Sequence, residues 1–317
     1  MSVLELAGVS RWFGNVVAVN DVSMQIGPGV TGLLGPNGAG KSTVINMMAG
    51  FLGPSAGSVT LDGKPVWRDE QVYRRLGLVP EREGMYDAVS GRQLVLANAR
   101  LHRLADPEAA AQRAIETVQM ADAQDREIRT YSKGMKQRIK MATALVHDPA
   151  VLLLDEPFNG MDPRQRLQLM ELLHTLGEEG RTILFSSHIL EEVEQIAARI
   201  EVMVAGRHAA SGDFREIRRL MTQRPHHYTI RSSDNRTLAA ALISEPSVEA
   251  VELVGEHGSV AGVGEHQTGA LLVQATDFAA FVHALPATAA RHGIRLFHVH
   301  PADESLESVF AYLVAAR

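Results

Sequence analysis

The chain has 317 residues, 45% of them hydrophobic, no cysteine and a formal net charge of -6. That is enough apolar material for one large domain and a smaller one without covalent staples. The acidic balance argues against nucleic acid as a main partner, and the lack of cysteine excludes disulfides and thiolate metal ligands. The first residues, MSVLELAGVSRWFG, have no basic patch leading into an apolar run, and nowhere do 18 apolar residues follow one another. Neither a signal peptide nor a spanning helix is therefore expected, and if the protein works at a membrane another molecule must hold it there.

In chain order, residues 3–6, 16–26 and 58–62 read as antiparallel strands, broken by the turn signals Gly27-Pro28-Gly29 and Asp62-Gly63. Strand-like runs at 30–35, 151–155, 182–187 and 200–204 are too apolar to have a wet face. Alternating with helix-period stretches, they predict a mainly parallel sheet covered on both sides. Between about 90 and 147 the pattern is helical throughout, with apolar positions at Leu94, Ala97, Leu101 and Leu104, then Ala111, Ala114, Ile115 and Val118. This predicts a helical subdomain inserted in the α/β core. The run Arg215-Glu216-Ile217-Arg218-Arg219 reads as a solvated linker helix. After about 222 comes a strand at 228–231, a helix opened by Ser233 or Asp234 and strands near 248–254 and 271–275. A helix capped by Thr276 or Asp277 and a strand at 294–298 follow. That order, β-α-β-β-α-β, predicts a small α+β domain of the ferredoxin-like arrangement, over 225–317, beside a first domain of 1–220. A last helix, Glu304 to Val314, closes the chain.

Gly35-Pro36-Asn37-Gly38-Ala39-Gly40-Lys41-Ser42 fits G-x-x-x-x-G-K-[ST], after a strand ending near Leu34 and before a helix through Thr43. Its backbone amides can cradle a β-phosphate, with the amides of Gly38 and Gly40 turned inward and those of Ser42 and Thr43 at the positive helix end. Lys41 would neutralise β/γ oxygens, and the Ser42 hydroxyl would ligate Mg²⁺. The fold class is thus α/β with a P-loop NTPase core, an antiparallel β subdomain and an inserted helical subdomain. The loop by itself names a nucleotide with Mg²⁺ and no more, since kinases, GTPases and helicases share it, and Asn37 and Ala39 complete it around the phosphates.

The strand Val151 to Leu154 ends in Asp155-Glu156, at the edge where doubly wound sheets bind ligands. Asp155 would hold the Mg²⁺ shell, and Glu156 would act as general base on a water in line with the γ-phosphate. A strand can also end in merely solvated acids; the phosphate loop upstream favours the catalytic reading.

Tyr131-Ser132-Lys133-Gly134-Met135, followed by Lys136-Gln137-Arg138 and, before the Asp155 strand, His147-Asp148-Pro149, resembles the signature motif of ATP-binding cassette (ABC) ATPases. The resemblance covers about residues 2–215. Ser132 and Gly134 match the consensus, whereas Tyr131, Lys133 and Met135 depart from it as exporter-type members do. By itself Ser132 is a good N-cap for a helix from Lys133 to Val146. The resemblance implies that the signature of one copy closes over ATP held by a second copy. It further implies that His188 contacts the γ-phosphate and orients Glu156, that Asp162 lies in the loop crossing to the other copy, and that Phe13 stacks on adenine, although neighbouring Trp12 could serve. Where the family has a glutamine ligand to the metal and water, this chain has Glu81, which brings a negative charge beside a triphosphate. The segment 81–93 is where family members meet their membrane subunit, and the ending Glu304-Ser305-Leu306-Glu307-Ser308-Val309-Phe310 resembles that of ATPases serving ABC-2 exporters. A separate membrane-spanning permease, a dimer with a second copy, and a place on the cytoplasmic face of the cell membrane are the implied partners and location.

His226-His227 and His298-Val299-His300 invite a metal reading, but no carboxylate or cysteine cluster accompanies them. DNA-organising members of the family need a long coiled coil between phosphate loop and signature; only 90 residues separate Lys41 from Ser132, and no heptad series fills them. Ribosome-acting members usually carry two cassettes in one chain, against the single one here. A non-hydrolysing, regulatory cassette is disfavoured by the presence of Lys41, Ser42, Asp155, Glu156 and His188.

Overall fold

Apolar residues alternating with polar ones build β1 (Leu4–Phe13) and β2 (Val16–Ile26), a hairpin whose one face is buried. The computed structural model describes residues 2–81, 84, 86–213, 215–217, 226–254 and 269–301. With β4 (Ala56–Leu61) and β5 (Lys64–Pro65), β1 and β2 form an antiparallel sheet in the order β2-β1-β4-β5. β1 runs well past the expected 3–6, because register shifts let its ladder with β2 continue to Trp12 opposite Val17 and Phe13 opposite Val16.

The central sheet contains β3 (Gly29–Leu34), β6 (Leu76–Val79), β7 (Val151–Leu154), β8 (Thr182–Ser187), β9 (Arg199–Val204) and β10 (Arg207–Gly212). Its order is β10-β9-β3-β8-β7-β6, parallel except for the hairpin of β9 with β10, an element the sequence reading left out. Every residue of β7 and β8 is buried, as expected of strands covered on both faces. Helices α1 (Lys41–Met48), α2 (Glu70–Tyr73), α6 (Pro163–Glu178) and α7 (Leu190–Ile196) accompany these sheets. Leu33, Ile45, Met48, Leu61, Val151 and Leu184 belong to one core between the antiparallel and central sheets.

The helical stretch resolves into α3 (Gly91–Leu101), α4 (Pro107–Thr117) and α5 (Lys133–Leu145). Each start is chemically marked. Ser90 and Gln93 form a capping box, Asp106 caps ahead of Pro107, and the Ser132 hydroxyl accepts from the Met135 amide.

Chain contacts separate a first unit ending at Ile217 from a second. The second holds β11 (His226–Ser232), α8 (Asn235–Leu242), β12 (Val248–Val254), β13 (Ala270–Ala275), α9 (Phe278–Arg291) and β14 (Leu296–Pro301). Its antiparallel sheet has the order β12-β13-β11-β14, over a core that includes Tyr228, Ile230, Leu238, Leu271 and Phe281. Asp234 caps α8 and Asp277 caps α9, which settles the two open choices. The expected helix Glu304 to Val314 lies outside the described residues, as do Arg218 and Arg219 of the linker run.

Candidate nucleotide and catalytic site

β3 passes into α1 through the loop Gly35 to Gly40. Gly40 is the N-cap of α1 at φ 95°, and a Cβ there would stand 2.7 Å from the Ala18 carbonyl oxygen, so the position requires glycine. The helix has no side-chain cap and no acid in its first turn, which leaves its first amides and its dipole for an anion. The loop is held by its own surroundings: Gly35 N donates to Ser187 O (3.2 Å), and Gly206 N donates to Ala39 O (3.1 Å). It borders a cavity of about 670 Å³. Asn37, Gly38, Ala39, Gly40, Lys41, Ser42, Thr43, Glu81 and Glu156 all line this cavity.

Lys41, only 6% exposed, donates from Nζ to Gly35 O (2.7 Å) and Pro36 O (3.2 Å). The same ammonium lies 3.3 Å from Glu156 Oε1. That oxygen accepts no hydrogen bond of good geometry, so the contact is charge against charge. Glu156 is 7% exposed and sits at φ 47°, a left-handed conformation that an unbranched acid tolerates only where its surroundings hold it. They do: Glu156 N donates to Ser186 Oγ (2.8 Å), and Ser186 Oγ donates in turn to Asp155 Oδ1 (2.8 Å). One β8 hydroxyl thereby fixes both acids. His188 Nδ1 lies 3.0 Å from Glu156 Oε2. With a carboxylate opposite, Nδ1 is the protonated nitrogen, and Nε2 is left free to meet another group.

Asp155, 4% exposed, does not itself line the cavity but lies beneath it, its amide bonded to Val79 O (2.8 Å). Ser42 and Glu81 line the cavity and carry hard oxygen donors of the kind Mg²⁺ takes beside phosphates and water, and Asp155, next to Glu156 of that wall, carries another. Among the described residues no cluster of three His, Asp or Glu could hold a metal unaided. His298 and His300 stack on β14, with centroids 5.8 Å apart.

Other predicted residues stand elsewhere. Ser132 and Gly134 open α5, and a Cβ on Gly134 would come 1.8 Å from Gln165 Oε1 of α6. Asp162 caps α6, accepting from Gln165 N at 2.9 Å. None of the three lines the cavity. Phe13 does not line it either: 46% exposed at the end of β1, it lies under the Arg11 guanidinium, and Val16, Val17 and Ala18 of β2 form that wall. Ser186, Ala205 and Gly206 were missed by sequence reasoning. They come from β8 and the β9–β10 turn, and no spacing in the chain ties them to the phosphate loop.

Residues 19–159 match the family model described as ABC transporter. An uncharacterized ABC transporter ATP-binding protein of Synechocystis sp. (strain ATCC 27184 / PCC 6803 / Kazusa) is 35% identical over 302 residues, 93% of this chain and 78% of its own. The chain belongs to the ABC transporter ATP-binding proteins. A Nod factor export ATP-binding protein I of Rhizobium johnstonii (strain DSM 114642 / LMG 32736 / 3841) is 37% identical to this ABC ATPase, over 66% of this chain and 68% of the relative. Among solved structures, the ATP-binding subunit of an ABC transporter superposes with a TM-score of 0.62 at 27% identity, over 68% of this chain and 92% of that one. The ABC ATPase therefore binds ATP and hydrolyses it on a P-loop fold of mixed α/β sheets.

Proposed function

We propose that this ABC ATPase powers export through a separate membrane-spanning permease, at the cytoplasmic face of the membrane, and that Glu156 is its general base. The observation that carries the catalytic part is the buried Glu156 carboxylate, set between Lys41 at 3.3 Å and His188 at 3.0 Å on the wall of the phosphate cavity. In this reading the amides of residues 37–43 cradle the phosphates, Lys41 turns from its loop carbonyls to the γ-phosphate, and His188 contacts the same group while its Nδ1 orients Glu156. Glu156 takes the proton of the attacking water. Ser42, Asp155 and Glu81 would hold Mg²⁺, which would supply charge neutralisation to the phosphates.

Ser132, Gly134 and Asp162 lie away from the cavity of their own chain, which supports a dimer in which a second copy supplies them to the ATP. Export is supported by the Nod factor relative and by the ABC-2-like ending. Among the described residues no helix is long and apolar enough to cross a membrane, so a permease partner fits this chain. Phe13 remains the proposed adenine platform, reached by an aromatic already exposed at the cavity's hairpin. For the accessory domain at 225–317 we propose the ferredoxin-like arrangement, supported by the antiparallel order β12-β13-β11-β14 with two intervening helices.

Glu156→Gln tests the base. We expect turnover to fall about 100-fold or more, and the variant to run as a dimer in size-exclusion chromatography with ATP and as a monomer without it. Turnover close to that of the unaltered protein would remove Glu156 from the role.

A further inference from the structure

Next to the hydrolytic pair lies a buried acid that the reaction as described does not use. Glu192, on the first turn of α7, is 5% exposed. Its Oε2 accepts a 2.7 Å hydrogen bond from Ser187 Oγ, and its Oε1 lies 3.3 Å from Arg166 Nη1. Ser187, fully buried at the end of β8, also accepts from Ile189 N (2.9 Å). The hydroxyl thus clamps the turn 187–189 from both sides, and His188 is the residue at its centre. On the other side Arg166 belongs to the first turn of α6, its amide donating to Asp162 O at 3.0 Å. Side chains from α6, α7 and β8 therefore form one chain of contacts, Arg166 to Glu192 and Glu192 to Ser187, ending at the turn that carries His188 beside Glu156.

A buried carboxylate costs several kcal/mol in desolvation unless its partners return it. Burial pushes the Glu192 carboxyl up, while the Ser187 hydroxyl and the Arg166 guanidinium hold it down and the Glu156 carboxylate adds to the upward push. Helix α7 gains no side-chain cap from Ile189, and the contact of Glu192 with Ser187 joins its first turn to β8. An acid kept in such a place, a few residues after the turn that carries His188, has its stabilising partners on two other elements, Ser187 of β8 and Arg166 of α6.

We infer that Glu192 and Arg166 are positioning residues of hydrolysis: they hold the Ser187–His188 turn in register with Glu156 and tie it to the helix that opens at Asp162. This rests on the reading of Glu156 as base and His188 as its orienting partner. Neither residue touches nucleotide in this scheme. Displacing the imidazole by a fraction of its 3.0 Å contact slows the proton transfer and leaves ATP binding to the phosphate loop alone.

The test uses the full-length protein with Glu192→Gln, Arg166→Met, the double variant and Arg166→Lys, and reads kcat, KM for ATP, and the melting temperature. Each single change is expected to lower kcat about 10- to 100-fold with KM within about threefold. The double variant should lose no more than the worse single one, because the two act as a unit, and Arg166→Lys should recover most of kcat. Should a single change unfold the protein by stranding a buried charge, the double variant, which strands none, still decides the matter. A double variant within twofold of the original kcat overturns the inference, as do single losses that multiply in the double, or losses that track melting temperature and raise KM alike. Glu156→Gln run alongside separates the two failures: if it still hydrolyses ATP the base reading is wrong, whereas an inactive Glu156→Gln beside active network variants defeats only this inference.

Discussion

Glu81, read from the family resemblance as standing in place of a glutamine, is on the cavity wall with Lys41, Ser42 and Glu156. Its main chain is held from the signature helix, where buried Lys140 of α5 donates from Nζ to Pro80 O (2.8 Å) and Glu81 O (3.3 Å). A carboxylate there attracts a divalent ion and repels a bare triphosphate. Replacing it with glutamine should therefore raise the Mg²⁺ concentration for half-maximal turnover and tighten ATP binding in EDTA. Each change should be roughly two- to fivefold, the size of exchanges between partly solvated charges. A Mg²⁺ titration and a fluorescent-nucleotide binding curve check the two arms, and no change in either removes Glu81 from the metal site. Lys41, Ser42, Asp155 and Glu156 could be singled out from the chain because each follows a strand within a motif, and His188 through the family resemblance. Ser186, Arg166 and Glu192 carry no such mark. Each acts by a hydrogen bond or ion pair to a residue on another element, and each looks like ordinary surface polarity in a linear string.

At the scale of elements, the caps were the best guides, since a cap satisfies local amides with local side chains: Ser132, Asp234 and Asp277 each start a helix as their chemistry predicts. Packing between elements was invisible by comparison. His102, just after α3, and His147, just after α5, stack with centroids 3.8 Å apart at 7°, and His147 Nε2 lies 2.9 Å from Leu76 O of β6. Burial and then the facing His102 ring press His147 down to about 4, and burial and then Arg74 lower His102 as well. In the unfolded chain a histidine titrates near ~6.5. As pH falls from about 6.5 towards 4, the unfolded state takes a proton that the folded one refuses, so stability is lost across that window and is level above it. Thermal melts at pH 7 and pH 5 should therefore show a smaller acid loss in His147→Gln than in the unaltered protein. Equal losses would mean that the stack does not govern the acid sensitivity.

At the scale of the molecule, the described chain holds two units with separate cores, one gathered about Leu33, Ile45 and Leu184, the other about Ile230, Leu271 and Phe281. A cooperative transition follows a shared core, so calorimetry of the full chain should resolve two transitions. ATP with Mg²⁺ binds only the first unit and should raise only its transition, by mass action on the state that binds. A single transition, or an equal shift in both, would show that the units unfold as one.

From its order of residues alone this protein could be read as a P-loop ATPase of the ABC family with an appended α+β unit. Phosphate loop, strand-end acids, signature and caps are each patterns of a few consecutive residues, readable without knowing what packs against them. Tertiary structure alone decided how far β1 runs, that β10 closes the central sheet, that Phe13 lies off the cavity wall, and that the acids at 155 and 156 share one serine from β8. The first two rest on the register of hairpin ladders, and the sharing of one serine on hydrogen bonds between distant segments, such as Ser186 with Asp155, as with Lys140 and Pro80. Only the folded chain brings them to bonding distance.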